Sequence, residues 1–447
     1  MTTTIQDKDP VQAPFDVASA RIDALYMHVP FCRHKCHYCD FYSIVDHEQR
    51  QATFVDALVA ELNRWAPQWP EQSQDGGVPP LQPRTIFVGG GTPTLLRSDL
   101  WRRLLNIMRR SGVLERVEEF TVEANPESVS SALVGVLAAG GVNRVSLGVQ
   151  SFHKQLLLTL QREHDPSHAA RAVRILRAGG IDRINVDLIF AIPGQTVQML
   201  DADLEMALSL NPQHVSCYNL TYEPNTPMTA RMKAGLLSPA PEPLERDLYQ
   251  RVIERMDAAG FEHYEISNWA RRKKQESRKA GEQERGKAGK RKRRRAGNRA
   301  TAPDPISCSP ALLLCCSSSH RCLHNMIYWN NGNWLGLGPA AASHIDGRRW
   351  KNKAHLGRYI ADSPRPAVVE VERLDPDRQI GEQLMLGLRL LDGVACGWLR
   401  DRMRPDDQRW GTIDELIDMG MLQESAGRLR LTRRGLFVAD AVMAKLL

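Results

Sequence analysis

The sequence predicts an α/β fold: a partial (β/α)6 barrel followed by a small helical or winged-helix C-terminal domain. Three observations predict it. Six short apolar runs of β type alternate with helix-length amphipathic stretches between Ala24 and Ala259. A strongly basic segment then interrupts the alternation, and residues 366–447 carry closely spaced helical patterns instead.

The runs are ALYMHV (24–29), RTIFVGG (84–90), EFTVEA (119–124), RVSLGVQ (144–150), RINVDLIF (183–190) and HVSCYNL (214–220). Helical periodicity follows each of them, at 54–66, 98–110, 128–139, 168–178, 199–210 and 243–259. Near-continuous apolar strands alternating with helices read as a parallel sheet covered on its outer face. Six units are too few for a closed eightfold barrel, so a curved, partly open one is expected. Helices at 379–390, 396–404 and 412–419, a short RLRLT and a last helix at 432–446 make up the C-terminal unit.

Between them, residues 271–321 break every period. Arg271 to Arg299 holds fifteen Lys or Arg against three Glu, a local net of +12, which leaves −5 for the rest of a chain whose formal charge is +7. The high pI therefore belongs to one segment, and a nucleic-acid partner is not expected from it. Such a composition buries too little apolar surface to fold, so a disordered insertion is expected. The expected organisation is a disordered tail (1–20), a barrel core (21–270), the insertion (271–321), a segment completing the core (322–365) and a C-terminal domain (366–447). Residues 1–20 show no apolar stretch of signal-peptide type, and no run reaches the roughly 20 apolar residues of a membrane span. A reducing cytoplasm is the expected setting, where cysteines are metal ligands or core residues more often than disulfides.

HVPFCRHKCHYCDFYS sets Cys32, Cys36 and Cys39 in a C-x3-C-x2-C spacing just after the first strand. Three thiolates on one loop suit three irons of a cubane cluster and leave the fourth open. A zinc ion completed by His34 or His37 is the alternative. Ligands of β/α barrels gather at the carboxyl ends of the strands. There the sequence places GGGTPT (89–94), Glu123, Gln150, Asp187 and Thr221.

The cysteine loop resembles the signature of the radical S-adenosylmethionine superfamily. That likeness implies a four-iron four-sulfur cluster on Cys32, Cys36 and Cys39, with S-adenosylmethionine on the open iron. GGGTPT, GVQSF (148–152), LQREHD (160–165) and DLIFAIPGQT (187–196) narrow the resemblance to the oxygen-independent coproporphyrinogen III dehydrogenase group. By those motifs it implies cofactor contacts at Tyr26, Tyr38, Gly90, Gly91, Thr92, Glu123, Gln150, Arg162 and Asp187. The dehydrogenases of that group carry a further cysteine two residues after the third. Here that position is Phe41, a departure shared with the HemW-type heme chaperones.

HNMIYW, His324 to Trp329, also resembles the HNxxYW heme signature of those chaperones. It implies His324 as an axial heme ligand, with Tyr328 and Trp329 flanking the porphyrin. A hydrogen-bonded histidine beside an aromatic core is the plainer reading of the same residues. The resemblance further implies heme, a heme-acceptor protein and an electron donor such as flavodoxin or ferredoxin as partners. A porphyrinogen-oxidising enzyme is the competing function. Cys217 and Cys396 read as core thiols, and Cys308, Cys315, Cys316 and Cys322 as incidental ones.

Overall fold

The computed structural model of the chain describes residues 20–46, 48–66, 81–162, 165–272 and 320–447. Nearly all of the expected tail and of the expected insertion, with Cys308, Cys315 and Cys316, lie outside the described residues.

The six anticipated strands are present as β1 (Ala24–Val29), β4 (Thr85–Gly90), β5 (Glu119–Ala124), β6 (Arg144–Gln150), β7 (Arg183–Phe190) and β8 (His214–Asn219). They pair in parallel in that order. A two-residue pair, β2 (Phe31–Cys32) and β3 (Ile44–Val45), braces the base of the cysteine loop. The helices α1 (Gln51–Trp65), α2 (Ser98–Arg110), α3 (Ser131–Ala139), α4 (Lys154–Thr159), α5 (Ser167–Ala178), α6 (Val197–Ser209), α7 (Pro227–Lys233) and α8 (Glu242–Ala258) follow in turn. α2 shows why the period predicts the element. Leu100, Trp101, Leu104, Leu105 and Met108 are buried along one face while its arginines face water. α3 starts at Ser131 rather than 128 because the Ser130 hydroxyl accepts the Leu133 N–H and fixes the helix start there.

The sheet extends beyond the six strands in both directions. The full order is β14-β13-β12-β11-β1-β4-β5-β6-β7-β8-β10-β9. β9 (Phe261–Glu265) and β10 (Asn268–Arg271) form a hairpin antiparallel to β8. On the other side β11 (Trp334–Leu337) lies parallel to β1 and adds a seventh parallel strand. β12 (Ala342–Ile345), β13 (Arg348–Asn352) and β14 (Val368–Arg373) continue it in antiparallel fashion. These strands are short, and β13 and β14 carry charged residues, which hides their period from a sequence reading. β14 also carries the large sheet past residue 365. The C-terminal unit has helices at Pro376–Leu388, Cys396–Arg402 and Arg409–Asp418 around a three-stranded sheet. Its last helix is split into Arg433–Leu436 and Ala439–Ala444. The break falls where Phe437 turns onto Tyr249 of α8, ring centroids 5.6 Å apart.

The two chain ends that flank residues 273–319 are anchored on one hairpin. Arg272 N–H donates to the Gly260 carbonyl, and the Arg321 guanidinium pairs with Glu262, two residues further on. Deleting residues 273–318 is therefore expected to leave soluble, folded protein with an unchanged thermal midpoint. Loss of soluble protein on deletion would give the segment a structural role.

Candidate functional site

The carboxyl ends of β1 and β4–β8 open into a cavity of about 640 Å³. Cys32, Cys36 and Cys39 line its mouth. The wall below them includes Tyr38, Gly90, Gly91, Thr92, Glu123, Gln150, Arg162 and Asp187. Of the thirteen residues that the resemblance assigns to the cluster, to S-adenosylmethionine and to the heme iron, eleven therefore share one cavity, and Tyr26 and His324 stand outside its lining.

Each position has a local cause. The three cysteines are free thiols: Cys32 ends β2, Cys36 and Cys39 lie on the loop between β2 and β3, and the Cys39 N–H donates to the Cys36 carbonyl at 3.2 Å. Burial pushes the Cys32 thiol up and the Cys39 thiol up to about 11. Without metal these two rest protonated, and iron would displace the protons. Thr92 Oγ1 reaches Cys32 Sγ at 3.9 Å and accepts from the Asn125 amide at 3.1 Å. Arg162 donates to Asn125 Oδ1 at 2.9 Å, to the Gly148 carbonyl at 2.5 Å and to Cys36 Sγ at 3.7 Å. Burial works against its charge, but neighbouring Tyr38 and Cys36 hold the guanidinium firmly protonated. Asn125 thus joins the β4 glycine turn to Arg162, a link the sequence reading missed.

The glycines after β4 are needed for close approach. A Cβ on Gly91 would sit 2.6 Å from the Phe31 carbonyl oxygen, at the start of the cysteine loop. Gly90 has φ +106°, and a Cβ there would strike the His28 ring at 2.5 Å. The Gly90 N–H donates to Glu123 Oε2 at 3.1 Å. Burial, reinforced by Asp187, raises the Glu123 carboxyl to about 8. Asp187 accepts from Ser146 at 2.8 Å and Asn185 at 2.7 Å. Gln150 takes φ +67° at a bulge in the β6–β7 pairing. Tyr26 is held behind the wall, its hydroxyl bonded to His28 Nδ1 at 3.0 Å and its ring stacked on Phe87. Gly91→Ala is accordingly expected to displace the cysteine loop as well as the β4 turn. It should lower both iron content and S-adenosylmethionine affinity several-fold, read by iron analysis and calorimetry. An effect on affinity alone would separate the turn from the loop.

His324 lies away from the cysteine loop. The segment after residue 319 forms α9 (Leu323–Trp329), which crosses the opposite, amino-terminal end of the barrel. Its contacts are the first residues of strands: His324 Nδ1 bonds Thr85 Oγ1 at 2.9 Å, and the His324 N–H and Cys322 Sγ donate to Glu119. Glu119 is fully buried between Arg144 and Arg183. His324 Nε2 bonds the Tyr328 hydroxyl at 2.8 Å. The ring is buried, tilted on Phe87, and burial drops its pKa to about 3. Both nitrogens are engaged, so neither is open to an iron in this arrangement. Trp329 packs apart from the cavity, with Tyr264, Met326 and Leu390 and beneath the Arg389 guanidinium. The hexapeptide is the floor of the barrel, and the plainer reading of His324 describes its surroundings. Cys217 and Cys396 are buried, and Cys322 is buried on Glu119.

The donor set fits a cluster better than a single ion. Among the described residues no three His, Cys, Asp or Glu side chains group closely enough to hold one metal ion. Zinc on the three cysteines and a histidine would require such a group. A cubane takes one thiolate at each of three separate irons.

The Radical SAM superfamily model matches residues 26–207, and the HemN C-terminal domain model matches residues 374–438. The chain is 30% identical to heme chaperone HemW of Lactococcus lactis over 95% of its length and 97% of that protein. The chain belongs to the HemW family. It is also 31% identical to HemW of Mycobacterium tuberculosis (95% of this chain, 94% of that one) and 30% identical to HemW of Escherichia coli (94% and 97%). The Escherichia coli coproporphyrinogen III oxidase HemN, a radical SAM enzyme, has the same fold. It superposes with a TM-score of 0.73 at 20% identity, over 96% of this chain and 92% of that one. The HemW family and the HemN fold thus coincide with the radical SAM barrel and C-terminal domain expected from the motifs. No helix among the described residues is long and apolar enough to cross a membrane.

Proposed function

We propose that this chain binds heme and transfers it to an acceptor protein, and that it carries a four-iron four-sulfur cluster and S-adenosylmethionine in the barrel mouth. The observation that supports the heme reading most is the near-full-length similarity to several HemW heme chaperones. Phe41 agrees with it: it stands where the dehydrogenase loop has a cysteine and is 67% exposed at the cavity mouth.

Cys32, Cys36 and Cys39 would hold the cluster, whose chemistry when bound would be one-electron reduction of the sulfonium cofactor. Gly90, Gly91 and Thr92 give that cofactor backbone access, while Glu123, Gln150, Arg162 and Asp187 offer polar partners around it. Tyr26 and Tyr38 support that wall. An electron donor of the flavodoxin or ferredoxin kind and a reducing, cytoplasmic setting go with this reading. His324 in its enclosed place holds the floor. To ligate heme it would first have to leave Thr85 and Tyr328.

Porphyrinogen oxidation is the competing activity. The test is anaerobic incubation of the reconstituted protein with coproporphyrinogen III, S-adenosylmethionine and a reductant. No decarboxylated product is expected, and its formation would make the chain an oxidoreductase.

A further inference from the structure

With both nitrogens of His324 engaged, the heme reading leaves the place of the heme open. A second cleft lies where α8 and the carboxyl end of β8 meet the C-terminal unit. It encloses about 1130 Å³, against about 640 Å³ for the barrel cavity that the cluster and S-adenosylmethionine would occupy. Asn219 lines both spaces, and its amide donates to Glu245 Oε2 at 3.2 Å. The walls of the cleft are apolar. Phe190 stacks on Tyr249 with centroids 5.8 Å apart, and Phe437 meets Tyr249 edge-on. Ile266, Met421 and Leu436 extend this surface, and Val438 stays 44% exposed on it. Three arginines line the same space. Arg246 lies over the Phe437 ring at 5.5 Å, and Arg433 is 4.0 Å from Glu254 with both side chains exposed. An exposed pair at that distance holds little energy. Arg434 has no hydrogen-bond or ion-pair partner among the described residues. The lining also carries Glu242, Glu245 and Asp440. Each of them sits in the first turn of a helix, where the helix dipole favours a carboxylate.

We infer that this cleft is the heme site: the macrocycle lies against Tyr249, Phe437 and Leu436, and Arg433 and Arg434 pair with the two propionates. The inference rests on the reading that the chain carries heme. A porphyrin is a flat apolar disc with two carboxylates on one edge. Aromatic and aliphatic walls match the disc, and guanidinium groups beside them match the carboxylates. No histidine lines the cleft among the described residues, and Met421 supplies a thioether, a donor able to ligate heme iron. The exposed edge at Val438 gives an acceptor access to the bound ring, as delivery requires.

The test titrates hemin into the full chain with its cluster reconstituted and follows the Soret band in difference spectra. Hemin dimethyl ester, whose propionates are blocked, is the second probe. The charge reversal Arg433→Glu with Arg434→Glu should raise the hemin dissociation constant about tenfold or more, the scale of two charge-assisted pairs. Ester binding, iron content and thermal midpoint should stay unchanged, since both side chains are exposed. Ala441→Trp places an indole in the cleft from an exposed position and should weaken both probes several-fold. Unchanged hemin affinity in either variant would overturn the proposal. So would equal losses of hemin and ester in the charge reversal, because the arginines would then act through the fold and not on the propionates. No saturable uptake by the wild type would instead remove the heme reading itself, and this site with it.

Discussion

Replacing any one of Cys32, Cys36 or Cys39 by alanine is expected to remove the iron–sulfur absorbance of reconstituted protein almost completely. A cubane left with two protein thiolates is poorly held. The fold should survive each change, since all three side chains are half-buried around the cavity mouth and contribute little core. Cys217→Ala and Cys396→Ala should keep the cluster, because those thiols are buried away from the mouth. Cys217→Ala should instead lower the thermal midpoint. A full cluster in the triple alanine variant would place the iron elsewhere.

His324→Ala is expected to cost ~2–4 kcal/mol of stability, from a buried cavity and two hydrogen bonds left half-made. Thr85 and Tyr328 would each lose a partner in a closed space. Thermal unfolding should therefore shift clearly downward, while the Soret position of whatever heme is bound stays unchanged. A shifted Soret band with little loss of stability would mean that His324 leaves the floor and ligates heme. His324→Gln separates the effects further, since an amide can keep one of the two hydrogen bonds without offering an imidazole to iron.

The barrel strands were legible because each is both apolar and short. Ala24–Val29, Glu119–Ala124, Arg144–Gln150 and Arg183–Phe190 carry their full signal locally. The lining of the cavity was legible too, since the glycines and carboxylates that line it sit at strand ends in short local motifs. What stayed hidden depends on long-range pairing. β11, with Trp334–Leu337, finds β1 more than three hundred residues earlier in the chain, and no local period announces that. Glu119 and Arg144 looked like ordinary strand residues, yet they hold α9 across the barrel floor. His324 shows the same limit from the other side. The motif was visible, but whether its nitrogens face a ligand or a neighbouring hydroxyl is decided by Thr85 and Tyr328, and the chain brings Thr85 there from 239 positions away.

The most direct measurement of the central claim is transfer of heme from the reconstituted protein to a heme-free acceptor, apomyoglobin for instance, under anaerobic conditions. The account predicts that the chain takes up heme with a defined Soret band and that this band is replaced by that of the loaded acceptor on mixing, faster than from free heme aggregates. A protein that shows no saturable heme uptake, or that keeps its heme indefinitely in the presence of excess acceptor, would contradict it.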